Sequence, residues 1–242
     1  MKRRKVAVAI MCKTPKTGLS KTRLSPPLTP AECAEASACF IADLSNTIHE
    51  LSFDGDVVPY AVYTPIGSEE SLRELLPDGF KLSPQCDGDF GVRLLQGIFD
   101  LLDAGNDAAI LVNSDSPTLP AAVLKEAVDA VSRGDNVTLS PAIDGGYTLI
   151  GLSRPHARLF EDIPWSTSEV CRLTLERAKE IGLPVEIVHG WYDVDDAASL
   201  RMLEEELSGK RLEFFAPNVL GAHAPATRLF MHQRRSQEGA RQ

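Results

Sequence analysis

Apolar strand patterns alternate with amphipathic helix patterns along most of this chain, and this alternation restricts its fold more than any other feature. Short apolar runs at residues 4–11, 56–64, 107–114 and 183–190 are separated by stretches with helical periodicity. Strands that are apolar on both faces and linked by helices form mostly parallel sheets with helices packed on both sides. We therefore predict an α/β protein with a mostly parallel central sheet.

Two helices carry start signals in the sequence. Thr29, Pro30 and Glu32 combine an N-cap residue, a proline at the first helical position and a capping box, which together predict a helix from residue 30. Ser166 and Glu169 have the same spacing and predict a second capping box at the start of a later helix.

Composition and charge narrow the class of protein. With 242 residues, 43% of them hydrophobic and 24% charged, the chain has ordinary globular composition and enough length for a sizeable core. The formal charge of −9 argues against a nucleic-acid partner, and no run approaches the roughly 20 apolar residues of a membrane span. The five cysteines show no metal-ligand spacing, which is typical of reduced thiols in a cytoplasmic protein. Because the periodicity fades after residue 209, we predict one domain over residues 1–209 and an irregular tail over 210–242.

The loop after the first strand concentrates positive charge. Lys13, Lys16, Lys21 and Arg23 surround Gly18 within twelve residues that include no acid. Ligands of parallel sheets bind beyond the carboxyl ends of the strands, and four cations in one loop repel each other unless an anion lies among them. Phosphate binding is one interpretation, and a solvated basic loop is the other. The glycine spacings of a Walker A loop and of the GxGxxG motif are absent, which excludes an ordinary P-loop and a simple dinucleotide site.

Aspartates follow the strands at two other places. Asp115 comes directly after the apolar run at 107–114, while Asp193 and Asp195 lie where the last strand pattern gives way to a helix. Alternate spacing directs Asp193 and Asp195 to one side of an extended segment, from which they can meet Asp115. Mg²⁺ or Mn²⁺, held by one or two carboxylates and by substrate phosphates, fits this set. The other interpretation makes these acids turn and cap residues, which suits Asp196 best.

The turn at residues 143–146 is a candidate for contact with a substrate. Asp144 can accept a hydrogen bond from a sugar hydroxyl or help to hold a metal, and Gly145 and Gly146 let the backbone approach a ligand closely. The alternative is a plain hairpin turn.

Two more segments complete the set of candidates. Trp165 precedes Ser166 and Thr167 at a predicted helix start, which offers either an aromatic and polar wall for an acceptor or a capped helix with a core tryptophan. The segment before the helix at residue 91 is a candidate for contacts with a nucleotide base or ribose through Asp87, Gly88, Asp89 and Arg93.

Taken in order, these loops resemble those of a known family. The motifs that carry the resemblance span residues 13 to about 200 and read "KTPKTGLSKTRLSPPLTP", "GDFGVRL", "SDSPTLP", "PAIDGGYTLIGL", "IPWSTSEV" and "YDVDD". They are similar to those of the arsenosugar-biosynthesis-type glycosyltransferases, also called radical-SAM/selenodomain-associated transferases, of the nucleotide-diphospho-sugar transferase superfamily. The resemblance implies a GT-A-like, Rossmann-related α/β/α sandwich. More distantly, the arrangement is similar to the 2-phospholactate and molybdenum-cofactor guanylyltransferases.

The resemblance also implies roles for individual residues. It makes Lys13, Lys21 and Arg23 the residues that grip the nucleotide phosphates, with Lys21 and Asp115 at the centre of catalysis. It makes Asp115 the metal ligand at the strand end, and Asp195, or the aspartate two residues before it, the second ligand.

On the sugar or acceptor side, the resemblance points to Asp144, Gly145, Gly146 and Tyr147. The chain departs from the family pattern in two places. Val92 stands where an acid is commoner, and "DVDDAASL" replaces the usual Asp-Val-Asp-Thr-Pro ending. Both departures leave the metal carboxylates in place.

The expected function is Mg²⁺- or Mn²⁺-dependent transfer of a sugar from a nucleotide-diphospho-sugar to a small-molecule acceptor. A nucleotidyltransferase, which joins an NTP to a phosphorylated small molecule and releases pyrophosphate, needs the same cations and carboxylates and is the alternative. A non-catalytic nucleotide-binding module is the third possibility. The expected partners are a nucleotide or nucleotide sugar and a small acceptor, with no nucleic acid and no membrane, and the sequence leaves the oligomeric state open.

Overall fold

The computed structural model of the protein describes residues 4–212 and 219–239. The first three residues of the predicted domain, and residues 213–218 and 240–242 of the predicted tail, lie outside the described residues. The strands are β1 Val6–Lys13, β2 Val57–Thr64, β3 Lys81–Pro84, β4 Ala108–Asn113, β5 Val137–Pro141, β6 Tyr147–Leu152 and β7 Val185–Ile187. The helices are α1 Pro30–Ser52, α2 Glu69–Arg73, α3 Phe90–Asp103, α4 Ala121–Val131, α5 Val170–Glu180, α6 Ala197–Leu207 and α7 Pro225–Gly239, with 3₁₀ turns at Thr22–Leu24 and Ala157–Phe160.

The described strands form a seven-stranded sheet in the order β3-β2-β1-β4-β6-β5-β7. β1 lies near its centre and pairs in parallel with β2 and β4, so that Val6 is opposite both Val57 and Ala108. β6 runs antiparallel to β4 and β5, because the short turn at 143–146 joins β5 and β6 as a hairpin. The predicted α/β fold with a mostly parallel central sheet is confirmed.

The two faces of β1 are buried in two different hydrophobic clusters. Val6, Val8 and Ile10 pack in the cluster that includes α1, α4 and α6, whereas Ala7 and Ala9 pack in the cluster that includes α3. All five side chains are fully buried, and full burial of a Val or Ile side chain contributes about 1.5–3 kcal/mol to folding. The strand is therefore held firmly from both sides, and the loop that follows it starts from a fixed point at the sheet edge.

The two predicted capping boxes have different outcomes. The Thr29 side chain accepts a hydrogen bond from the backbone of Glu32, whose side chain accepts one in return, so the first box is confirmed. The second is wrong, since α5 begins only at Val170 and its preceding residue, Glu169, makes no side-chain cap. Ser166 has a φ of 65°, in the left-handed region, whereas an N-cap residue has an extended backbone.

The expectation of an irregular tail is wrong for residues 225–239, which form helix α7. This helix packs against α1, where Phe230 and Met231 join the hydrophobic cluster. The carboxylate of Asp43, in α1, accepts hydrogen bonds from backbone N–H groups at the start of α7. The start signal of α7 is thus supplied by a distant part of the chain. Within the described ranges, every helix is too short or too polar to serve as a membrane span.

Candidate functional site

The candidate site lies at the carboxyl ends of β1 and β4, where the basic loop meets the segment at 192–195. The Val194 N–H donates to the carbonyl oxygen of Asp115 at 2.8 Å, which fixes this segment beside the end of β4. Val194 is fully buried, whereas Asp193 and Asp195 are half-buried. The two acids therefore face the same side, as their alternate spacing predicts.

Lys21 joins the basic loop to both aspartate segments. Its ammonium nitrogen lies 2.7 Å from the carbonyl oxygen of Val194, 2.8 Å from Oδ1 of Asp115 and 3.1 Å from Oδ1 of Asp195. Arg23 donates from Nη2 to the other Asp195 oxygen at 2.5 Å. Lys21 has a φ of 49°, a left-handed conformation that is uncommon for a residue other than glycine and that clusters at functional sites.

Burial and mutual repulsion shift the pKa values of the acids. Burial disfavours the charged form of Asp115, but the Lys21 ammonium outweighs it and lowers the pKa of that carboxyl. Burial and the Asp115 charge raise the pKa of Asp195. Burial, together with the charges of Asp144, Asp195 and Asp115, raises the pKa of Asp193 to about 7. Asp193 and Asp195 are therefore easier to protonate than ordinary aspartates, first because they are buried and second because other carboxylates lie near them.

A cavity of about 250 Å³, which we call the basic cavity, lies between the loop and the carboxylates. Lys13, Lys21 and Arg23 line it, and Asp115 and Asp195 form part of its wall. The structure therefore gathers three of the four predicted phosphate-binding cations around one space.

Lys16 and Gly18 are not among the residues that line the basic cavity. The Lys16 carbonyl oxygen accepts the backbone N–H groups of Leu19 and Ser20, and Gly18 has a φ of 77°. These two residues shape the loop. Lys16 itself is exposed and lies outside the cavity.

A second cavity of about 280 Å³, which we call the aromatic cavity, adjoins the first. The two share Arg23, Asp115 and Asp195. The remaining predicted residues that line it are Asp144, Gly146, Tyr147, Trp165, Ser166, Thr167 and Asp193. The Trp165 ring meets the Phe90 ring edge to face, with centroids 5.2 Å apart, which gives this cavity one aromatic wall.

Gly145 serves packing rather than contact with the cavity. It has a φ of 91°, and a Cβ at this position would overlap the backbone of Ser168. Its carbonyl oxygen accepts the Cys171 N–H at 2.9 Å. The turn therefore holds the segment before α5 in place, and that segment includes three residues of the aromatic cavity. Its neighbour Asp144 accepts the Gly146 N–H at 2.8 Å, within the predicted tight turn.

The predicted base or ribose contacts lie outside both cavities. Asp87 and Gly88 are exposed, and the Asp89 side chain caps α3. Arg93 donates to the Gln85 side chain at 3.3 Å and lies over the Phe90 ring, 5.5 Å from its centroid. Arg93 thus packs against the Phe90 ring of the aromatic wall.

The carboxylates of Asp115 and Asp195 suit a divalent cation that takes few protein ligands. Among the described residues, no group of three or more His, Cys, Asp or Glu side chains is arranged to hold a metal ion. Asp115 and Asp195, however, direct one oxygen each at the same ammonium group. Two carboxylates match what Mg²⁺ takes when waters and substrate phosphates complete its shell. The residues therefore fit a cation that a phosphate ligand completes.

Several residues of the site were not predicted from the sequence. Phe90 and Asn113 line the aromatic cavity, Ser37 and Ser114 line the basic cavity, and the carbonyl oxygen of Val194 binds Lys21. Asn113 and Ser114 are polar residues at the carboxyl end of the apolar strand β4, a position that could have predicted their place in the site. Ser37 lies inside helix α1 and carries no local signal.

Comparison with known proteins places the chain in a family. The model of a family described as "Uncharacterized protein conserved in bacteria (DUF2064)" matches residues 47–167, half of the chain. The chain belongs to this family. The part that matches the DUF2064 model includes Asp115, Asp144 and Trp165, while the basic loop and Asp195 lie outside it. No curated protein matches the chain significantly.

Solved structures resemble this DUF2064 member over most of its length. A protein from Desulfovibrio desulfuricans G20, provisionally named a nucleotide-diphospho-sugar transferase, has a TM-score of 0.81 and 23% identity, with 96% of each chain covered. CMP:2-keto-3-deoxy-manno-octonic acid synthetase has a TM-score of 0.55 and 12% identity, covering 85% of this chain and 99% of that one. The 4-diphosphocytidyl-2C-methyl-D-erythritol synthase from Anaerococcus prevotii has a TM-score of 0.54 and 10% identity, covering 85% and 99%. At these identities the likeness establishes the fold.

Proposed function

We propose that the protein is a metal-dependent glycosyltransferase that takes a sugar from a nucleotide-diphospho-sugar and passes it to a small acceptor. One observation carries this proposal: the carboxylate pair Asp115 and Asp195 lies on the wall shared by the basic cavity and the aromatic cavity. A transferase with two substrates needs adjoining pockets with the reacting bond at their junction.

The basic cavity suits the diphosphate of the donor. Lys13, Lys21 and Arg23 can neutralise the negative charge that develops on a leaving nucleoside diphosphate, which is the main electrostatic demand of this reaction. Asp115 and Asp195 would hold a Mg²⁺ or Mn²⁺ ion. Once bound, that ion would add Lewis-acid stabilisation to the same phosphate oxygens.

The aromatic cavity suits the sugar and the acceptor. Trp165 offers an apolar ring face, and Asp144 and Thr167 offer polar groups near it. Sugars are commonly bound by such pockets, where a few placed polar groups fix orientation against an apolar surface. The motif resemblance to the arsenosugar-biosynthesis-type transferases, and the name of the Desulfovibrio neighbour, support this assignment.

Nucleotidyl transfer is the second candidate, and the position of Arg23 favours it. This side chain lines both cavities, so it could bind the phosphate of a phosphorylated acceptor that attacks the α-phosphate of an NTP. Two of the structural neighbours are named CMP:2-keto-3-deoxy-manno-octonic acid synthetase and 4-diphosphocytidyl-2C-methyl-D-erythritol synthase, and these names support the same reaction class.

Product analysis separates the two reactions. The protein is incubated with Mg²⁺ and either UDP-, GDP- and ADP-sugars or the four NTPs, together with pools of sugar phosphates and small hydroxyl acceptors. Release of a nucleoside diphosphate from a nucleotide sugar supports glycosyl transfer, and release of pyrophosphate from an NTP supports nucleotidyl transfer. The Asp115→Asn variant controls for contaminating enzymes, because it should lose either activity.

A further inference from the structure

The ammonium group of Lys21 is fully engaged by the protein itself. A lysine ammonium has three N–H donors and no acceptor. Three acceptor oxygens surround it: the carbonyl oxygen of Val194 at 2.7 Å, Oδ1 of Asp115 at 2.8 Å and Oδ1 of Asp195 at 3.1 Å. Lys21 can therefore bind a phosphate oxygen only if it gives up at least one of these partners.

Lys21 is buried where it meets these oxygens, so solvent weakens the interaction little. The side chain is only 6% exposed, and its ammonium lies 5.4 Å from the centre of the Phe40 ring. A charged group held between two half-buried carboxylates loses little to solvent screening. Lys21 thus occupies the same carboxylate oxygens that a divalent cation would require.

We propose that Lys21 is an internal competitor of the divalent cation, and that nucleotide phosphate loads the metal by drawing Lys21 away from Asp115 and Asp195. The proposal rests on the function proposed above and adds to it that the nucleotide promotes binding of the metal. A divalent cation and the Lys21 ammonium repel each other when both lie at contact distance from the same two oxygens, so each weakens the binding of the other there. A phosphate group that attracts Lys21 frees those oxygens, so nucleotide and metal each increase the affinity of the other.

The first test measures metal binding without any nucleotide. Mn²⁺ binding to the full-length protein is followed by the electron paramagnetic resonance signal of free Mn²⁺. Wild type should bind Mn²⁺ weakly, and Lys21→Met should bind it at least tenfold more tightly, because the methionine has similar length and no charge. The same variant should gain thermal stability on addition of Mn²⁺, while wild type gains little.

Three further variants sharpen the test. Lys13→Met removes the same charge from the same cavity, but Lys13 bonds to the Leu19 carbonyl oxygen and to neither carboxylate, so its Mn²⁺ affinity should stay near that of wild type. Lys21→Met combined with Asp115→Asn should lose the gain. Lys21→Gly removes the ammonium and suits the left-handed backbone at this position, so it replaces Lys21→Met if that variant folds poorly.

These outcomes test the competition between Lys21 and the metal without any measurement of enzyme turnover. Tighter Mn²⁺ binding in the Lys21 variants but not in Lys13→Met supports competition. An unchanged or weaker Mn²⁺ affinity in a correctly folded Lys21 variant overturns it, even if the enzyme transfers sugars. Failure of the proposed function would show itself differently, as a protein that no nucleotide or nucleotide sugar stabilises.

Discussion

The carboxylate of Asp43, in the middle of α1, accepts the backbone N–H of Thr227 at 2.7 Å, across 184 positions of sequence. It also accepts the N–H of Ala226 at 2.9 Å. Asp43 is 2% exposed, and its negative charge lies at the N-terminus of α7, where it interacts favourably with the helix dipole. A buried side chain of one helix thus caps another.

The first prediction follows from this cap. Asp43→Ala should lower the free energy of unfolding by about 1–3 kcal/mol, because it leaves two N–H groups without their acceptor. Glu35→Ala is the matched control, since Glu35 lies exposed on the same helix and its loss should change stability by under about 0.5 kcal/mol. Urea unfolding of both variants checks the prediction, and equal stabilities would contradict it.

The second prediction concerns the adjacent acids at the start of α6. Asp195→Asn should reduce turnover at least about 100-fold, as loss of a central electrostatic group does, while the fold stays intact. Asp196→Asn makes the same chemical change one residue later, where the side chain only caps α6, and asparagine is an equally good cap. It should retain activity. Comparable losses in the two variants would argue against a role for Asp195 in the site.

The third prediction compares two glycines with positive φ. Gly145→Ala should destabilise the protein by about 3 kcal/mol, from roughly 1–2 kcal/mol of left-handed strain plus a clash with the Ser168 backbone. Gly18→Ala should cost only about 1–2 kcal/mol from the strain, because a Cβ there would meet no heavy atom of the described residues within 4 Å. Urea denaturation midpoints of the two variants give the comparison, and an equal loss would show that the Ser168 contact yields easily.

The fourth prediction is a pH dependence at Glu206, away from the candidate site. Burial raises the pKa of this carboxyl, and the Tyr192 hydroxyl donates to it at 2.5 Å. Because the native pKa is above the unfolded one, the contribution of Glu206 to stability is largest below its unfolded pKa and is lost as pH rises through the native pKa.

The glutamine of Glu206→Gln does not titrate. The free energy of unfolding of wild type minus that of this variant should therefore decrease as the pH is raised from 4 to 8. Other groups titrate alike in both proteins and cancel in the difference. Urea unfolding at pH 4, 6 and 8 measures it, and a constant or rising difference would contradict the raised pKa.

Some of this structure could be predicted from the sequence because the signals are local. The N-cap at Thr29 depends on Glu32, three residues away, and the burial of β1 depends on an uninterrupted apolar run. The common orientation of Asp193 and Asp195 follows from alternation in an extended segment. Each of these requires only the geometry of a single element.

The rest depends on contacts between distant parts of the chain. Lys21 meets Asp195 across 174 positions, and the cap of α7 comes from α1. The capping box predicted at Ser166 failed because of such a distant contact. The Ser168 backbone packs against Gly145, and α5 starts only after this contact, at Val170. Tertiary packing outweighed the local sequence pattern there.

Metal-dependent binding of a nucleotide sugar is tested by a thermal-unfolding panel of wild type and Asp115→Asn. The panel includes UDP-, GDP- and ADP-sugars and NTPs, each with Mg²⁺ or with EDTA. We expect at least one nucleotide sugar to stabilise wild type only when Mg²⁺ is present, by about 2.7 kcal/mol at a hundredfold excess over its dissociation constant. Asp115→Asn should lose this effect. Stabilisation by an NTP and by no nucleotide sugar would favour nucleotidyl transfer. If no nucleotide or nucleotide sugar stabilises the protein, or if EDTA and the Asp115→Asn substitution leave the stabilisation unchanged, a metal-dependent nucleotide site at Asp115 is contradicted.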